Sequence, residues 1–355
     1  MLYIVDIEGV ETRYTQQWKE HIPKILKNAG IEATVIEGST DIPDATTPGA
    51  FLNFGGTNVY KSTQLEKIAR MFCNGEITNG DYFLYTDAWN PTVIQLKYMA
   101  ELLGLRIRIG GMWHAGSYDP HDFLGRIIGD EKWVRNAERA MFDCYDDNFF
   151  ATNFHIDMFT RELFGIPYRQ MNKSNKINQI GWPMEYLNDE LYPYSDVEKE
   201  DIILFPHRVA PEKQPEIFDL LKEAMPEYTF IKCQDMNLTK DEYHKLLAKA
   251  KIVFSANLQE TLGISVYEGV ILDTIPVMPD RLSYAEMWSY DFLYPSEWTE
   301  NLKSAERYLP ELKSFITNTM LEYDGFKTML DKEFSKVSNF YSSKNLVDHL
   351  RKFVV

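Results

Sequence analysis

The chain has little cysteine, no long hydrophobic run and no excess of basic residues. Its 355 residues include three cysteines, Cys73, Cys144 and Cys233, which are too few and too scattered for a disulfide framework or a zinc site. No segment approaches the roughly 18 apolar residues that span a bilayer. The formal net charge of −16 opposes non-specific attraction to nucleic acid. The composition therefore argues against a disulfide-stapled protein, a membrane-spanning protein and a generally basic nucleic-acid binder.

The amino terminus and the distribution of charge indicate where the protein is located and which half would bind an anionic partner. The first residues, MLYIVDIEGVE, carry acid rather than base and predict a strand instead of a signal peptide. We therefore expect a cytoplasmic protein. Acids dominate residues 186–242, whereas acids and bases nearly balance over 101–180. An anionic macromolecular partner would be expected at the N-terminal half.

Apolar runs alternate with helical patterns along most of the chain, which predicts parallel α/β architecture. Hydrophobic residues make up 45% of a chain that is long enough for about two domains. The predicted strands are 2–7, 32–37, 50–54, 81–87, 106–113, 201–207, 228–233, 252–257 and 274–279. The predicted helices include 17–28, 64–72, 216–225, 239–250 and 262–272.

The pattern predicts two doubly wound, Rossmann-like domains. We expect an N-terminal domain over 1–185, an acidic linker over 186–200 and a C-terminal domain over 201–323. The remaining segment, 324–355, is expected to be helical and to pack back towards the N-terminal domain. Ligands of such folds bind beyond the carboxyl ends of the strands, so the residues that directly follow strands are the candidates for function.

Two cations follow the predicted strand 201–207, in the sequence PHRVAPEKQ. Arg208 suits bidentate contact with a phosphate, and Lys213 supplies a point charge. Fixed cations at this position would stabilise the charge that develops on a departing diphosphate. The alternative is a pair of solvated loop residues, with Pro211 and Glu212 forming an ordinary turn.

Two carboxylates bracket a glycine in the sequence QETLGISVYEG. Gly263, between Leu262 and Ile264, allows close approach of the backbone to a ligand at the amino terminus of a helix. Glu260 would bind a sugar hydroxyl there, and Glu268 the hydroxyls of a ribose. The alternative makes the first acid a favourable charge at the helix terminus and the second a surface residue.

This combination, Arg-x4-Lys followed by Glu-x7-Glu, resembles the retaining glycosyltransferases of GT-B fold, in particular the glycogen-synthase and sucrose-synthase-like group (family 4-like). The resemblance covers residues 202–288 well and the N-terminal half loosely. It implies that Arg208 and Lys213 hold the donor pyrophosphate and that Glu268 holds the ribose. It also implies that Glu260 contacts the donor sugar, and that the co-substrate is a nucleoside-diphosphate sugar, with UDP preferred.

The resemblance also suggests sites in the N-terminal half. His114, which ends the strand 106–113, corresponds to a histidine that hydrogen-bonds a hydroxyl of the donor sugar. Gly9, with Arg13 close behind, resembles the family's N-terminal glycine loop but lacks the usual second glycine. The alternatives are a structural histidine held by a neighbouring turn and a plain loop.

The segment MWHAGSYDPHDFLGR is similar to phage-encoded glycosyltransferases that modify 5-hydroxymethylcytosine in DNA, which would place the protein in the host cytoplasm. Enzymes that mannosylate queuosine in tRNA resemble the C-terminal half. A glycan or a small-molecule acceptor, a sugar-nucleotide epimerase and a non-catalytic binding protein remain alternatives. The candidate DNA-phosphate contacts are the cations Arg126, Lys132, Arg135, Arg139, Arg169, Lys173 and Lys176.

Asp146 and Asp147 are a paired-acid motif of the kind that coordinates Mg²⁺ or Mn²⁺. A solvated loop is the simpler interpretation of this pair. The resemblance implies that side chains and helix termini, rather than a metal, manage the charge of the leaving group. We therefore expect no essential metal or cofactor.

Overall fold

The structure, a computed structural model, describes residues 1–10, 13–42, 47, 52–171 and 176–354. It contains two α/β units. The first unit is Met1–Pro183 together with the C-terminal residues from Ser343 onward, and the second unit is Met184–Ser342. Within the described ranges, no helix combines the length and apolar character that crossing a membrane requires.

The first unit contains a six-stranded parallel sheet in the order β2-β1-β3-β4-β5-β6. Its strands are β1 (Leu2–Val5), β2 (Ala33–Ile36), β3 (Tyr82–Tyr85), β4 (Arg108–Met112), β5 (Asp147–Phe150) and β6 (Ile177–Gln179). Its helices are α1 (Tyr14–Asn28), α2 (Phe54–Cys73), α3 (Thr92–Leu102), α4 (Phe123–Ile128), α5 (Lys132–Cys144) and α6 (Asn153–Phe164).

The second unit contains a five-stranded parallel sheet in the order β11-β10-β9-β7-β8. Its strands are β7 (Glu200–Phe205), β8 (Thr229–Lys232), β9 (Ala250–Phe254), β10 (Ile275–Pro279) and β11 (Leu293–Tyr294). Its helices are α7 (Tyr186–Leu191), α8 (Pro215–Ala224), α9 (Lys240–Lys249), α10 (Ile264–Ile271), α11 (Tyr284–Met287), α12 (Leu302–Arg307), α13 (Leu309–Leu321) and α14 (Tyr323–Val337).

The last helix, α15 (Lys344–Leu350), belongs to the first unit, so the chain leaves that unit at Pro183 and returns to it at Ser343. The segment predicted as a linker, 186–200, instead contains α7 and the start of β7. Helix α7 is only six residues long and buries two leucines. Such a short helix leaves no clear helical period in the sequence.

Both sheets are buried on two faces, as parallel sheets usually are. All four residues of β3 are buried, and so are the last four of β7. Each sheet packs against its own apolar core, with Phe83 and Trp113 in the first unit and Phe205 and Phe254 in the second. This explains why short, nearly continuous apolar runs identified most of the strands.

One predicted strand disagrees with the structure, and three observed strands were not predicted. The strand predicted over 50–54 is wrong at its end, because Phe54 begins α2. Asn53 caps that helix by accepting the amide hydrogen of Gly56 at 2.8 Å. Residues 50 and 51 lie outside the described residues. Strands β5, β6 and β11 were missed. Strand β5 begins with a carboxylate, Asp147, that is fully buried.

Candidate functional site

The loop after β7 carries the first predicted phosphate ligand. Arg208 has 38% of its side chain exposed, and its guanidinium donates to Glu212 at 2.5 Å. Glu212 is almost fully buried, and a buried carboxylate needs a partner. Pro211–Lys213 does form a short 3-10 turn, as the alternative expected, but Glu212 is not a solvated residue of that turn. The sequence analysis missed its ion pair, which restrains Arg208 in the loop beyond the strand.

Lys213 and Glu260, predicted from separate motifs, lie together. Lys213 is 6% exposed, and its ammonium donates to the backbone carbonyl of Gln259 at 2.6 Å. The same ammonium lies 3.4 Å from Oε2 of Glu260. Burial is the largest single influence and would raise the pKa of Glu260, but the nearby charges, that of Lys213 foremost, and hydrogen bonds from Leu262 and Lys213 together hold the pKa below its usual value. The second unit therefore holds an ionised pair at the end of its sheet.

Helix α10 begins beside this pair. Gly263 caps it with a φ of 94°, and a Cβ at this position would lie 2.9 Å from the ring of Tyr284. Both features favour glycine. The hydroxyl of Tyr341 donates to the carbonyls of Leu262 and Gly263, at 3.1 Å each. These hydrogen bonds fix the turn that precedes Ile264 and the first amide groups of the helix. The amide groups at the start of a helix have no partner within the helix and can bind an anion.

Glu268 lies farther along α10, with different partners. It is partly buried, and the hydroxyl of Tyr243 on α9 donates to its Oε2 at 2.9 Å. Burial raises the pKa of Glu268 to about 7, against the opposing effect of this hydrogen bond. The surface alternative is therefore wrong, because the carboxylate is drawn out of water and hydrogen-bonded.

Two further residues of this region were missed. His207, 4% exposed, lies beside Ser265 of α10, with 3.2 Å between Nδ1 and the hydroxyl oxygen. Burial lowers its pKa to about 3, so the ring is neutral at pH 7. Arg281 donates to the carbonyls of Ala256 and Asn257, at 2.7 Å each. It anchors the chain between β9 and Glu260. His207 had a sequence signal, since it is the last residue of the predicted strand 201–207, but Arg281 had none.

His114 lies in the first unit, beyond the end of β4. Its Nδ1 is 2.7 Å from the hydroxyl of Tyr14, and its Nε2 is 2.6 Å from the carbonyl oxygen of Thr86. Burial lowers the pKa of His114 below its ordinary value. The rings of Trp18 and Trp182 pack against the imidazole, each with 5.1 Å between ring centroids. The histidine is held by an aromatic cluster, by α1 and by the bend that follows β3, and its contact with a sugar stays a prediction.

The loop after β1 has a specific reason for its glycine. A Cβ on Gly9 would lie 2.2 Å from the side-chain oxygen of Gln16 and 2.9 Å from Lys19. Arg13 follows as the extended residue that caps α1. Lys19 in turn pairs with buried Asp6 at 3.1 Å. The loop is packed onto its own helix, and its role towards a ligand stays a prediction.

The predicted DNA-phosphate contacts do not form a continuous set of solvated cations. Arg139 donates to the carbonyl of Leu163 at 2.6 Å, and Lys176 to that of Asp143 at 3.2 Å. Arg135 lies 3.3 Å from a fully buried carboxylate, Glu138. Arg126 of α4 donates to the carbonyl of His121, just before that helix, and Lys132 and Arg169 are exposed. Lys173 lies outside the described residues.

The paired acids Asp146 and Asp147 are not a solvated loop, so that interpretation was wrong. Asp147 accepts from Arg108 at 2.6 and 2.7 Å and from Tyr82 at 2.8 Å, and it lies 3.0 Å from His349 of α15. Burial alone would raise its pKa, but hydrogen bonds from these three groups lower it to about 2. Across the described residues, no three His, Cys, Asp or Glu side chains cluster as a metal site would require.

No protein-family model and no curated protein sequence matches the chain. Solved structures match it in shape. The pneumococcal O-GlcNAc transferase GtfA, in complex with UDP and GlcNAc, has a TM-score of 0.53 at 12% identity, over 82% of this chain and 59% of that one. Against that protein, this chain thus spans less than two thirds of the length.

Two bacterial structures match along nearly their whole length. Sucrose-phosphate synthase from Thermosynechococcus elongatus has a TM-score of 0.58 at 12% identity, covering 99% of this chain and 97% of that one. HepE of Anabaena, in complex with UDP and glucose, has a TM-score of 0.58 at 11% identity, covering 99% and 98%. At identities this low, the matches are evidence of the fold alone. They confirm that the chain has the predicted GT-B fold of two parallel-sheet α/β units.

Proposed function

We propose that the protein is a retaining glycosyltransferase that moves a sugar from a nucleoside-diphosphate donor, with UDP preferred, to a hydroxyl acceptor. The observation that carries the proposal is the ionised pair of Lys213 and Glu260 at the mouth of α10. Residues from two distant motifs meet there, beyond the ends of parallel strands, where α/β folds bind their ligands.

The diphosphate would lie against the amino terminus of α10. Lys213 contributes a nearly dehydrated positive charge, and a guanidinium has five N–H donors, so Arg208 can contact phosphate while it pairs with Glu212. Breaking the glycosidic bond concentrates negative charge on the departing diphosphate. Cations fixed in place therefore stabilise the transition state more than the ground state.

The two carboxylates would hold the two ends of the donor. Glu260, held ionised, would accept hydrogen bonds from a hydroxyl of the donor sugar. Glu268 would accept from the ribose, with one oxygen already bonded to Tyr243. In this mechanism the departing phosphate takes the proton of the acceptor on the same face, so the sugar keeps its anomeric configuration without a separate carboxylate base.

For the acceptor, we propose 5-hydroxymethylcytosine in DNA, on the strength of the sequence resemblance. Among the described members of the predicted cation set, the exposed ones are Arg126, Lys132, Arg139 and Arg169. The base would have to leave the duplex to reach an active site. A glycan, a tRNA nucleoside and a small molecule are the competing acceptors.

The proposal is tested by incubating the protein with UDP-, GDP- and ADP-sugars, with DNA containing hydroxymethylcytosine or unmodified cytosine. We expect release of nucleoside diphosphate that requires the modified DNA, and a product whose anomeric configuration by NMR matches that of the donor. Release with another acceptor only would replace the acceptor and keep the enzyme class. An altered donor without release would indicate an epimerase, and binding without turnover a binding protein. No binding of any nucleotide sugar would overturn the proposal.

A further inference from the structure

Two backbone carbonyl groups of the second unit each accept two hydrogen bonds from side chains. The oxygen of Ala256, just beyond β9, accepts from Nε2 of Gln214 and from Nη2 of Arg281, at 2.7 Å each. The oxygen of Thr299 accepts from the same two nitrogens, at 2.7 and 3.1 Å. We call these two oxygens the carbonyl pair. Through it, the loop after β7 and the loop after β9 are connected to each other.

Gln214 makes these bonds from an unfavourable backbone conformation. Its φ of 52° lies in the left-handed region, where glycine is the residue without a steric cost. The side chain is 3% exposed, and its amide nitrogen has two hydrogens, one for each oxygen of the carbonyl pair. Because Gln214 directly follows Lys213 in the chain, a fixed Gln214 side chain also fixes the turn that carries the lysine.

Arg281 supports the carbonyl pair as a cation without a carboxylate partner. Its other hydrogen bonds go to the carbonyls of Asn257 and Ser296, at 2.7 and 2.9 Å, and to the hydroxyls of Ser296 and Thr299. None of its partners among the residues that the structure describes is an acid, and burial lowers its pKa below the usual value. The five donors of a guanidinium, rather than an ion pair, therefore explain an arginine at this position.

Each residue of the segment 256–259 makes a backbone hydrogen bond to Arg281 or to the loop after β7. The distances are 2.7 Å from Arg281 to the carbonyls of Ala256 and Asn257, 2.8 Å from the amide of Leu258 to the carbonyl of Glu212, and 2.6 Å from Lys213 to the carbonyl of Gln259. Glu260 follows directly, with its Oε2 3.4 Å from the ammonium of Lys213. The geometry of this ion pair thus depends on the backbone that Gln214 and Arg281 hold.

We infer that Gln214 and Arg281 are positioning residues for the transfer reaction, because through the carbonyl pair they hold Lys213 where the donor diphosphate departs. The inference rests on the proposed function and concerns the second unit alone. Neither side chain has to contact the substrate. A cation stabilises developing charge only while it is fixed at the right place, so an ammonium that can move away loses part of its effect on the rate.

The test measures kcat for Arg281→Met and Gln214→Gly, each alone and combined with Lys213→Ala. The substrate is the nucleotide sugar that the wild type turns over. Glycine tolerates the left-handed backbone at 214 and removes only the amide. We expect each single variant to lower kcat about tenfold to 10²-fold, the scale of a misplaced group. In the Lys213→Ala background, the same changes should lower kcat by no more than about twofold, because the group that they position is absent.

Leu221→Ala is the control for a loss of stability alone. Leu221 is fully buried in the core of the same unit, and its truncation leaves a cavity. We expect this variant to unfold at a lower temperature while its kcat below that temperature stays at the wild-type value. Arg281→Lys, which keeps three donors, should have a kcat between those of wild type and Arg281→Met, and it replaces Arg281→Met if thermal unfolding shows that variant to be unfolded.

Two results would overturn the inference and leave the proposed function intact. One is a wild-type kcat in the folded glutamine and arginine variants. The other is losses that multiply fully when these changes are combined with Lys213→Ala, since the two side chains would then act independently of the lysine. A wild-type chain that binds no nucleotide sugar overturns both proposals.

Discussion

The two units share a parallel-sheet architecture but use their charges differently. In the second unit, Lys213 and Glu260 form an ion pair beside a helix terminus. In the first unit, the buried ions serve the scaffold: Asp147 bonds Arg108 on the neighbouring strand and pairs with His349 of the last helix. His114, the residue of the first unit that is predicted to contact the donor sugar, is instead neutral at pH 7, because burial lowers its pKa. A buried charge near the end of a strand therefore does not by itself identify a ligand site, because its partners can be parts of the scaffold.

The largest effect on catalysis is expected from removing the cation of the second unit, Lys213. We expect Lys213→Ala to lower kcat by about 10²- to 10³-fold, the range for loss of one group that stabilises developing charge. Steady-state kinetics measures the effect, with Lys245→Ala as the control, since that lysine is 59% exposed on α9. Turnover at the wild-type rate in a folded Lys213→Ala variant would reject the leaving-group role.

Removing the buried anion of the first unit should instead cost stability. Asp147→Asn leaves Arg108 and His349 without their carboxylate, and loss of one partner of a buried pair costs about 3 kcal/mol or more. Denaturant unfolding measures the change, with the exposed Asp130→Asn as the control. Unfolding free energies that are equal for the two variants would contradict a scaffold role.

The same anion makes a pH prediction. Its pKa in the folded protein is about 2, against a usual value of 3.8. A depressed carboxyl pKa contributes stability that is complete above about pH 4 and is lost as the pH falls towards 2. The contribution is about 2 kcal/mol, from the size of the shift. Asp147→Asn should lose less stability than wild type over that pH range in unfolding experiments. Parallel losses would count against this assignment.

Glu268 in the second unit differs from Asp147 in the direction of its pKa shift, because burial raises its pKa to about 7. Ribose hydroxyls bind the ionised form, so the Kd for UDP in wild type should weaken about tenfold from pH 8 to pH 6 as the carboxylate takes up a proton. Glu268→Gln should bind weakly and without this pH dependence in calorimetry. Glu306→Gln, exposed on α12, is the control. A variant with wild-type affinity would count against the ribose assignment.

The smallest expected effect is at Tyr243. Its hydrogen bond lowers the pKa of Glu268 against the effect of burial. Tyr243→Phe should therefore move the midpoint of UDP binding to higher pH while the affinity at pH 9 stays close to wild type. Tyr290→Phe, at a tyrosine that is 79% exposed, is the matched control. An unmoved midpoint would show that the tyrosine does not tune this carboxylate.

The sequence predicted those parts of the fold that depend on local pattern. Strands such as β7 and β9 are apolar because both faces of the sheet are buried. The helix predicted over 239–250 is α9, which begins with a capping box of Thr239 and Glu242. Strand β5 was missed because its first residue is an acid, and only tertiary contacts show that Asp147 is compensated.

The candidate site was predictable to a similar extent. Spacing and resemblance brought out Lys213 and Glu260, and the structure adds that the two side chains lie together. Pairs far apart in the chain left no local trace: Tyr14 and His114 are 100 residues apart, and Tyr243 and Glu268 lie on different helices. Hydrogen-bond partners of this kind follow from packing, which no short motif encodes.

The return of the chain to the first unit at Ser343 has a consequence for biosynthesis. His349 and Arg351 supply contacts to Asp147 and to the carbonyl of Ala29. During translation these residues leave the ribosome only after the entire second unit has emerged. The second unit can therefore complete its folding first, although it is encoded later, and the first unit must wait for its final helix.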